Sequence, residues 1–298
     1  MTESVTFVTP TYAGDFERFC LQRESIERFE ISIPQVAIVH DEDLPLFKTV
    51  PHQRGLSIIS TRAVLPRRIE ARRQNWGRSR RDPRFWLARP PIHGWMTQQL
   101  SKLASPVVVD TEGIVCLDSE ILFLAPVTAS DFYSDDGRLQ LYETEHDIDA
   151  EMADYTIRSM EFLGVKLTHQ AVKRYTHAPA VFHRTVLLNM QQFIEDRFGK
   201  SWIQSVLDAK GLTEYATYGV FSRHLDGLEH QSPATPGLCT YYWWPEQLLT
   251  IEHDFVRRAT HANARAVLVN SNLGLSLAVL RKLVETAWKA SETNTIIE

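Results

Sequence analysis

The chain has 298 residues, 44% hydrophobic and 23% charged, with a formal net charge of −5. That length supports one large α/β domain or two smaller ones with ample core, and the acidic balance argues against a general nucleic-acid binder. Cys20, Cys116 and Cys239 fall in no CxxC or metal-like spacing, which predicts reduced, mostly buried thiols.

The first strand signal is VTFVT at 5–9, followed by Pro10 and the turn-like TYAGD. Asp15 is placed to cap a helix over FERFCLQRESIERF, where Phe16, Phe19, Ile26 and Phe29 keep helical spacing. QVAIV and LSIIS read as a second and third apolar strand. Short apolar strands separated by a helix predict a sheet covered on both faces, as in α/β proteins.

Between Arg62 and Arg89 stand ten arginines against only Glu70 and Asp82. The preferred reading of this segment is a basic loop that orders on substrate, clamping a diphosphate or meeting an anionic acceptor or membrane; a solvated basic helix is the plainer one. GWMTQQLSKLAS then predicts a helix with Trp95, Leu100 and Leu103 near one face, and GIVCLDSEILFLAP follows at 113–126.

In that last stretch Asp118 and Glu120 interrupt an apolar run that holds no basic residue. Side chains two apart on a strand share a face, so both carboxylates would converge on one point. Buried acids need a partner, and hard carboxylate oxygens suit Mg²⁺ or Mn²⁺ shared with substrate phosphates. An acidic turn facing water is the alternative.

Beyond it the pattern continues to alternate. RLQLYE, PAVFHR, CTYYWW and AVLVNS read as strands. A segment near 148–163, TVLLNMQQFIEDRF, SWIQSVLDAK, LTEYATYGVFSRHL and SLAVLRKLVETAWKA read as helices. Asn270, Ser271, Asn272 and Ser276 break the longest late apolar stretch, which is too short and polar to span a bilayer. No charged n-region and apolar h-region precede the first strand, so the expected location is cytoplasmic, or peripheral at the inner membrane.

FVTPTYAGD at the start, WMTQQLSKL before CLDSEILFLAP, and HAPAVFHRTVLLNM before LTEYATYG together resemble GT-A type glycosyltransferases. They look in particular like a family of largely uncharacterised bacterial glycosyltransferase-like proteins, some linked to surface polysaccharide synthesis. The resemblance implies a single GT-A (Rossmann-like) domain over 1–298, a mixed central sheet flanked by helices. Residues 1–128 would bind the nucleotide sugar and 129–298 the acceptor.

Residue by residue, it implies that Thr9, Pro10 and Tyr12 line the base and ribose pocket, with Asp41 accepting a hydrogen bond there. Gln98, Gln99 and Lys102 would approach the donor, Lys102 reaching a phosphate or sugar hydroxyl unless it is a surface lysine. Asp118 and Glu120 would bind Mn²⁺ or Mg²⁺, Glu120 standing where relatives carry Asp, with His253 or His261 as a third ligand. Glu214 would be the general base, unless it is only a helix-start acid capped by Thr213. His177 and His183 are expected at the acceptor cleft or the surface, and Trp243 and Trp244 in the core, with acceptor stacking as the second reading.

The implied activity is transfer of a sugar from a nucleotide-diphosphate donor to a saccharide or lipid-linked saccharide. The alternative is a nucleic-acid- or membrane-surface-binding protein using Arg62–Arg89. A sugar-1-phosphate nucleotidyltransferase is disfavoured because no glycine-rich loop follows the first strand.

Overall fold

The computed structural model describes residues 3–79, 91–147, 152–167, 171–259 and 264–295. The chain opens with β1 (Val5–Pro10), α1 (Phe16–Arg28), β2 (Gln35–Val39), α2 (Leu44–Phe47) and β3 (Leu56–Ser60). Every residue of β1 and β2 is buried, as expected of strands covered on both faces. Then come α3 (Arg67–Ser79), α4 (Gly94–Leu103), β4 (Gly113–Cys116) and β5 (Ile121–Phe123).

The second half supplies β6 (Leu139–Tyr142), β7 (Thr144–Asp147), α5 (Ala153–Leu163), β8 (Ala171–Arg174), β9 (Ala180–His183) and α6 (Arg184–Phe198). It continues with α7 (Trp202–Asp208), α8 (Glu214–His224), β10 (Gln231–Ala234), β11 (Cys239–Tyr242), α9 (Ile251–Ala259), β12 (Ala266–Val269) and α10 (Leu277–Thr295).

The main sheet has the order β3-β2-β1-β4-β9, parallel except for β9. The expected α/β fold with a mixed central sheet is therefore present. No break in the sheets falls at residue 128: β9 pairs with β4, and β12 pairs antiparallel with β5 in a second sheet ordered β11-β12-β5.

Two features of this sheet position the site. The chain leaves β1 towards β2 and β3, then returns to β4 on the other side of β1. Helices and loops after β1 and β4 must diverge there, which opens a crevice at their carboxyl ends. Second, GIVCLDSEILFL is not one strand. It ends as β4, turns through Asp118-Ser119-Glu120, and resumes as β5 in the other sheet. The two acids thus sit on a turn between sheets rather than on one strand face.

Several local expectations are corrected. Asp15 stands at the start of α1 but its side chain makes no capping bond. His183 faces neither cleft nor solvent: it is buried and its Nδ1 accepts from Thr185 N at 3.2 Å, capping α6. The preferred basic loop is a helix as far as Ser79, because Ile69 reaches the core and the buried Glu70 carboxylate accepts from Thr61 and Arg73. Arg80, Arg81, Arg84 and Arg89 lie outside the described residues. The strands at 144–147, 171–174 and 231–234 and the helix at 251–259 were not anticipated.

Candidate active site

At the centre lies a buried ammonium. Lys102, in the last turn of α4, donates to Asp118 Oδ1 at 2.8 Å, Glu214 Oε1 at 2.9 Å and the Tyr215 hydroxyl at 2.6 Å. All three N–H donors of a lysine are thereby used, and the ammonium also lies 4.4 Å from the Tyr215 ring centroid. Burial alone would push the Lys102 pKa down. The carboxylates of Asp118 and Glu214 outweigh it and hold the group well above its ordinary value. Lys102 is therefore no surface lysine.

Glu214 is delivered by local sequence logic. Thr213 precedes α8 and its hydroxyl accepts from Ala216 N at 3.1 Å, a standard N-cap, while Tyr218 and Phe221 bury the inner face of the helix. Glu214 in the first turn is only 5% exposed. Tyr215, beside it, is pushed well above the usual phenol range by burial and by the charge of Asp118.

The turn carrying the acids is tightly held. Gln22 Nε2 donates to the carbonyls of Asp118 at 2.8 Å and Ile121 at 3.0 Å, and Ser119 Oγ donates to Thr11 Oγ1 at 2.8 Å. Glu120 Oε1 accepts from Ser271 N at 2.7 Å, a link to the segment after β12. Burial raises the Glu120 pKa, with Asp118 adding to the effect and Ser271 opposing it. Asp15 is raised by burial and by Asp118 against the pull of Arg18, and Tyr12 is raised by Asp15, burial and Glu120. These groups feel one another as a concentration of negative charge.

They open onto one cavity of about 1680 Å³. Among the sequence candidates, Pro10, Tyr12, Gln98, Lys102, Asp118, Glu120 and Glu214 line it. Three do not. Thr9 is fully buried and its hydroxyl accepts from Gln35 Nε2 at 2.7 Å. Asp41 is held by the Ser60 hydroxyl and by Arg62 at 2.5 Å, while its neighbours His40 and Glu42 line the cavity. His253 is exposed on α9 away from the lining, and His261 lies outside the described residues.

Residues 4–291 match a family described as a family of unknown function, DUF6492. The chain belongs to that family. No curated protein matches this DUF6492 member. Among solved structures, it is similar to the galactosyltransferase LgtC in complex with donor and acceptor sugar analogues. Identity there is 10% and the TM-score 0.48, over 94% of this chain and 95% of that one. The apo form of mouse xyloside xylosyltransferase 1 is 8% identical with a TM-score of 0.47, over 92% of this chain and 100% of that one. The apo bifunctional glycosyltransferase WbbM gives 10% and 0.49, over 90% of this chain and 46% of that one. Likeness at this level does not assign an activity to the DUF6492 chain.

Sequence reasoning placed Trp243 and Trp244 in the core. They are 39% and 43% exposed and line the cavity, because β11 ends at Tyr242 and the pair falls beyond it. His177 lines the cavity from the β9 side. Tyr215 was missed as a site residue, although its place directly after Glu214 at a helix start was the available signal. Gln99 is buried, lines the cavity, and its Nε2 finds no partner among the described residues. Such an unmet donor is uncommon in folded proteins and marks a place for a ligand oxygen.

The donor set suits a hard divalent cation. Two carboxylates face the cavity at the strand-end crevice, and the Glu120 pKa is raised by burial first and by the charge of Asp118 second, both of which a bound cation would oppose. Among the described residues no three His, Cys, Asp or Glu side chains converge as a metal cluster. The remaining ligands would come from substrate oxygens and water, the usual habit of Mg²⁺ at phosphates. Among the described residues, no helix is long and apolar enough to cross a membrane.

Proposed function

We propose that this protein is a GT-A type glycosyltransferase that moves a sugar from a nucleotide-diphosphate donor to a saccharide acceptor. In the finer version, Asp118 and Glu120 hold Mn²⁺ or Mg²⁺, and the acceptor is a saccharide or lipid-linked saccharide of bacterial surface polysaccharide synthesis. The protein would then work in the cytoplasm, at most peripheral to the membrane. The observation that carries the reading is the acid turn at the β1/β4 crevice, with Asp118 and Glu120 lining the cavity that Tyr12 also lines.

Each residue then has a task. Pro10 and Tyr12 border the lobe at the ends of β1 and β2, where the base and ribose fit, Tyr12 offering a ring to stack on. Gln99 Nε2 donates to a donor oxygen. Asp118 and Glu120 would hold the cation, which when bound supplies Lewis-acid stabilisation of the leaving diphosphate. Lys102, fixed by its three acceptors, keeps the Asp118 carboxylate in place. The acceptor oxygen bonds to the anomeric carbon as the bond from that carbon to the diphosphate breaks, and the diphosphate leaves with the electron pair. In an inverting reaction Glu214 takes the hydroxyl proton. Its ion pair with Lys102 also gives it a positioning role.

Thermal shift with UDP, GDP and dTDP, each with and without Mn²⁺, tests the reading on wild type and Asp118→Ala. One nucleoside diphosphate should raise the wild-type Tm only with the metal, and Asp118→Ala should lose that rise. If none stabilises the wild type in a metal-dependent way, the reading fails.

A further inference from the structure

The cavity has two sides with opposite electrical character. On the β1/β2 side its arginine is already engaged: Arg73 pairs with Glu70 at 2.7 Å and with Glu42. Two other lining arginines, Arg174 on the β9 side and Arg258 on α9, make no salt bridge among the described residues. β9 runs antiparallel to β4 with Ala180 opposite Cys116, so the chain entering β9 passes beside the acid turn at Asp118. Thr176 and His177 line the cavity from there, together with Arg174 at the end of β8. Tyr241 OH donates to Ala178 O at 2.7 Å and ties β11, with the tryptophans after it, to the same wall.

Strand alternation aims Arg174 inward. Lys173 turns the other way, to Glu143 at 3.6 Å and to Glu145, so its neighbour points to the opposite face. Arg174 Nε donates to Thr176 Oγ1 at 2.9 Å, and no carboxylate among the described residues pairs with its guanidinium. Arg258 also lines the cavity, its guanidinium 5.2 Å from the Tyr242 ring centroid, again with no carboxylate in salt-bridge range among the described residues. His177 is pushed down to about 4, by burial first and then by the charge of Arg174, and adds no further cation at neutral pH. Arg258 has Asp254 near enough to feel its charge, whereas the half-buried Arg174 guanidinium has no carboxylate partner among the described residues, and an incoming carboxylate or phosphate meets it in the two-pronged geometry arginine favours. Trp243 and Trp244 beside them offer flat apolar faces with a polar edge.

We propose that the β9 side of the cavity is a subsite for an anionic saccharide, its acid group held by Arg174 with Arg258 in support and its ring stacked on Trp243 or Trp244. Under the transferase reading, on which the word acceptor rests, this is the acceptor site, because the diphosphate belongs at the β1/β4 crevice on the far side of Asp118. The acceptor is then an acidic sugar rather than a neutral one.

Titration calorimetry of the full chain with methyl β-D-glucuronide, glucose 6-phosphate, methyl β-D-glucoside and inorganic phosphate tests this. At least one anionic sugar should bind wild type about tenfold or more tighter than the glucoside, the size expected of a hydrogen bond to a charged group. The two anionic sugars separate a carboxylate from a phosphate preference. Arg174→Gln, checked for folding by its unfolding midpoint, should bind all three sugars alike, and Trp243→Ala/Trp244→Ala should weaken all three together. Equal affinities in wild type, a preference retained in Arg174→Gln/Arg258→Gln, or inorganic phosphate binding as well as the sugars would each overturn the proposal. The nucleotide thermal shift is read separately. An acidic-sugar preference without a nucleotide shift sinks the transferase reading alone, and a shift without the preference sinks this subsite alone.

Discussion

The ammonium of Lys102 lies 2.8 Å from a carboxylate oxygen of Asp118 that the sequence leaves without a basic neighbour, the partner arriving from a helix sixteen residues earlier. Lys102 and Glu214 are 6% and 5% exposed at their side chains. Removing one member of a buried pair leaves an uncompensated charge, at about 3–5 kcal/mol when both are fully enclosed. Asp118 opens to the cavity, so the lower end applies: Lys102→Met should lower unfolding free energy by roughly 3 kcal/mol. Lys102→Met/Glu214→Leu should recover more than half of it. Urea titrations of the single and double variants check this, and a double variant no better than the single one would show that the pair is not the unit of stability.

Glu214 carries two possible duties that kinetics can separate. Glu214→Gln keeps the shape and an acceptor for Lys102 but cannot take a proton. A base role predicts loss of turnover and disappearance of the acidic limb of the kcat/KM profile. An unchanged profile shape with a modest fall in rate would leave only the positioning of Lys102.

Gly219 in α8 backs directly onto Tyr175, where a Cβ would lie 2.2 Å from ring carbon Cγ. Alanine would gain about 1 kcal/mol of helix propensity, against overpacking of about 1–3 kcal/mol. Gly219→Ala should therefore be net destabilising by about 1 kcal/mol. Because Tyr175 leads into His177, acceptor KM should rise as well. Chemical unfolding combined with kinetics tests both, and a stabilised variant would show that Tyr175 yields freely.

Stability should depend on pH in two adjoining acid windows. His177 titrates near 4 in the fold, below its ordinary 6.5, because burial and Arg174 disfavour the imidazolium. The unfolded chain then binds more protons between those values, so this contribution is complete above 6.5 and is lost as pH falls towards 4. Glu70 is held at about 2 although burial pushes it up, because Arg73 and Thr61 hydrogen-bond its carboxylate and His40 lies close by at 3.6 Å. Its contribution is present above 4.5 and lost below. Unfolding free energy measured against pH should lose part of its slope between 6.5 and 4 in His177→Gln, the remainder coming from His183 and His224, which burial also lowers, while the Glu70 window is kept.

Trp243→Ala or Trp244→Ala should change stability by no more than about 0.5 kcal/mol, as at other exposed positions. If either ring stacks on sugar, acceptor KM should rise by roughly tenfold at unchanged donor KM. Loss of several kcal/mol of stability would return the pair to the core.

The strands of the first half were legible because each is a short run rich in apolar residues, buried throughout in β1, β2, β4 and β5, and α8 because Thr213, Glu214, Tyr218 and Phe221 agree on one start and one face. The short strands β7, β8 and β10 were not: TEHD is polar or charged throughout, AVKR is charged over its second half, and QSPA holds a proline that only an edge tolerates. The acid turn was legible as a break in an apolar run but not as a junction, since such a run does not record which sheet it enters. The Lys102–Asp118 pair, the Arg174 wall and the exposure of Trp243 depend on contacts between distant segments, which periodicity does not encode.

The change of sheet at Asp118-Ser119-Glu120 has a mechanical result. Asp118 is fixed from the main-sheet side by Lys102, whereas Glu120 is pinned to Ser271, just beyond β12 of the other sheet. The gap between the two carboxylates is therefore a caliper reading of how one sheet sits on the other. Repacking between β5 and β12 would change that gap and, under the proposed function, the size of ion the two acids would share.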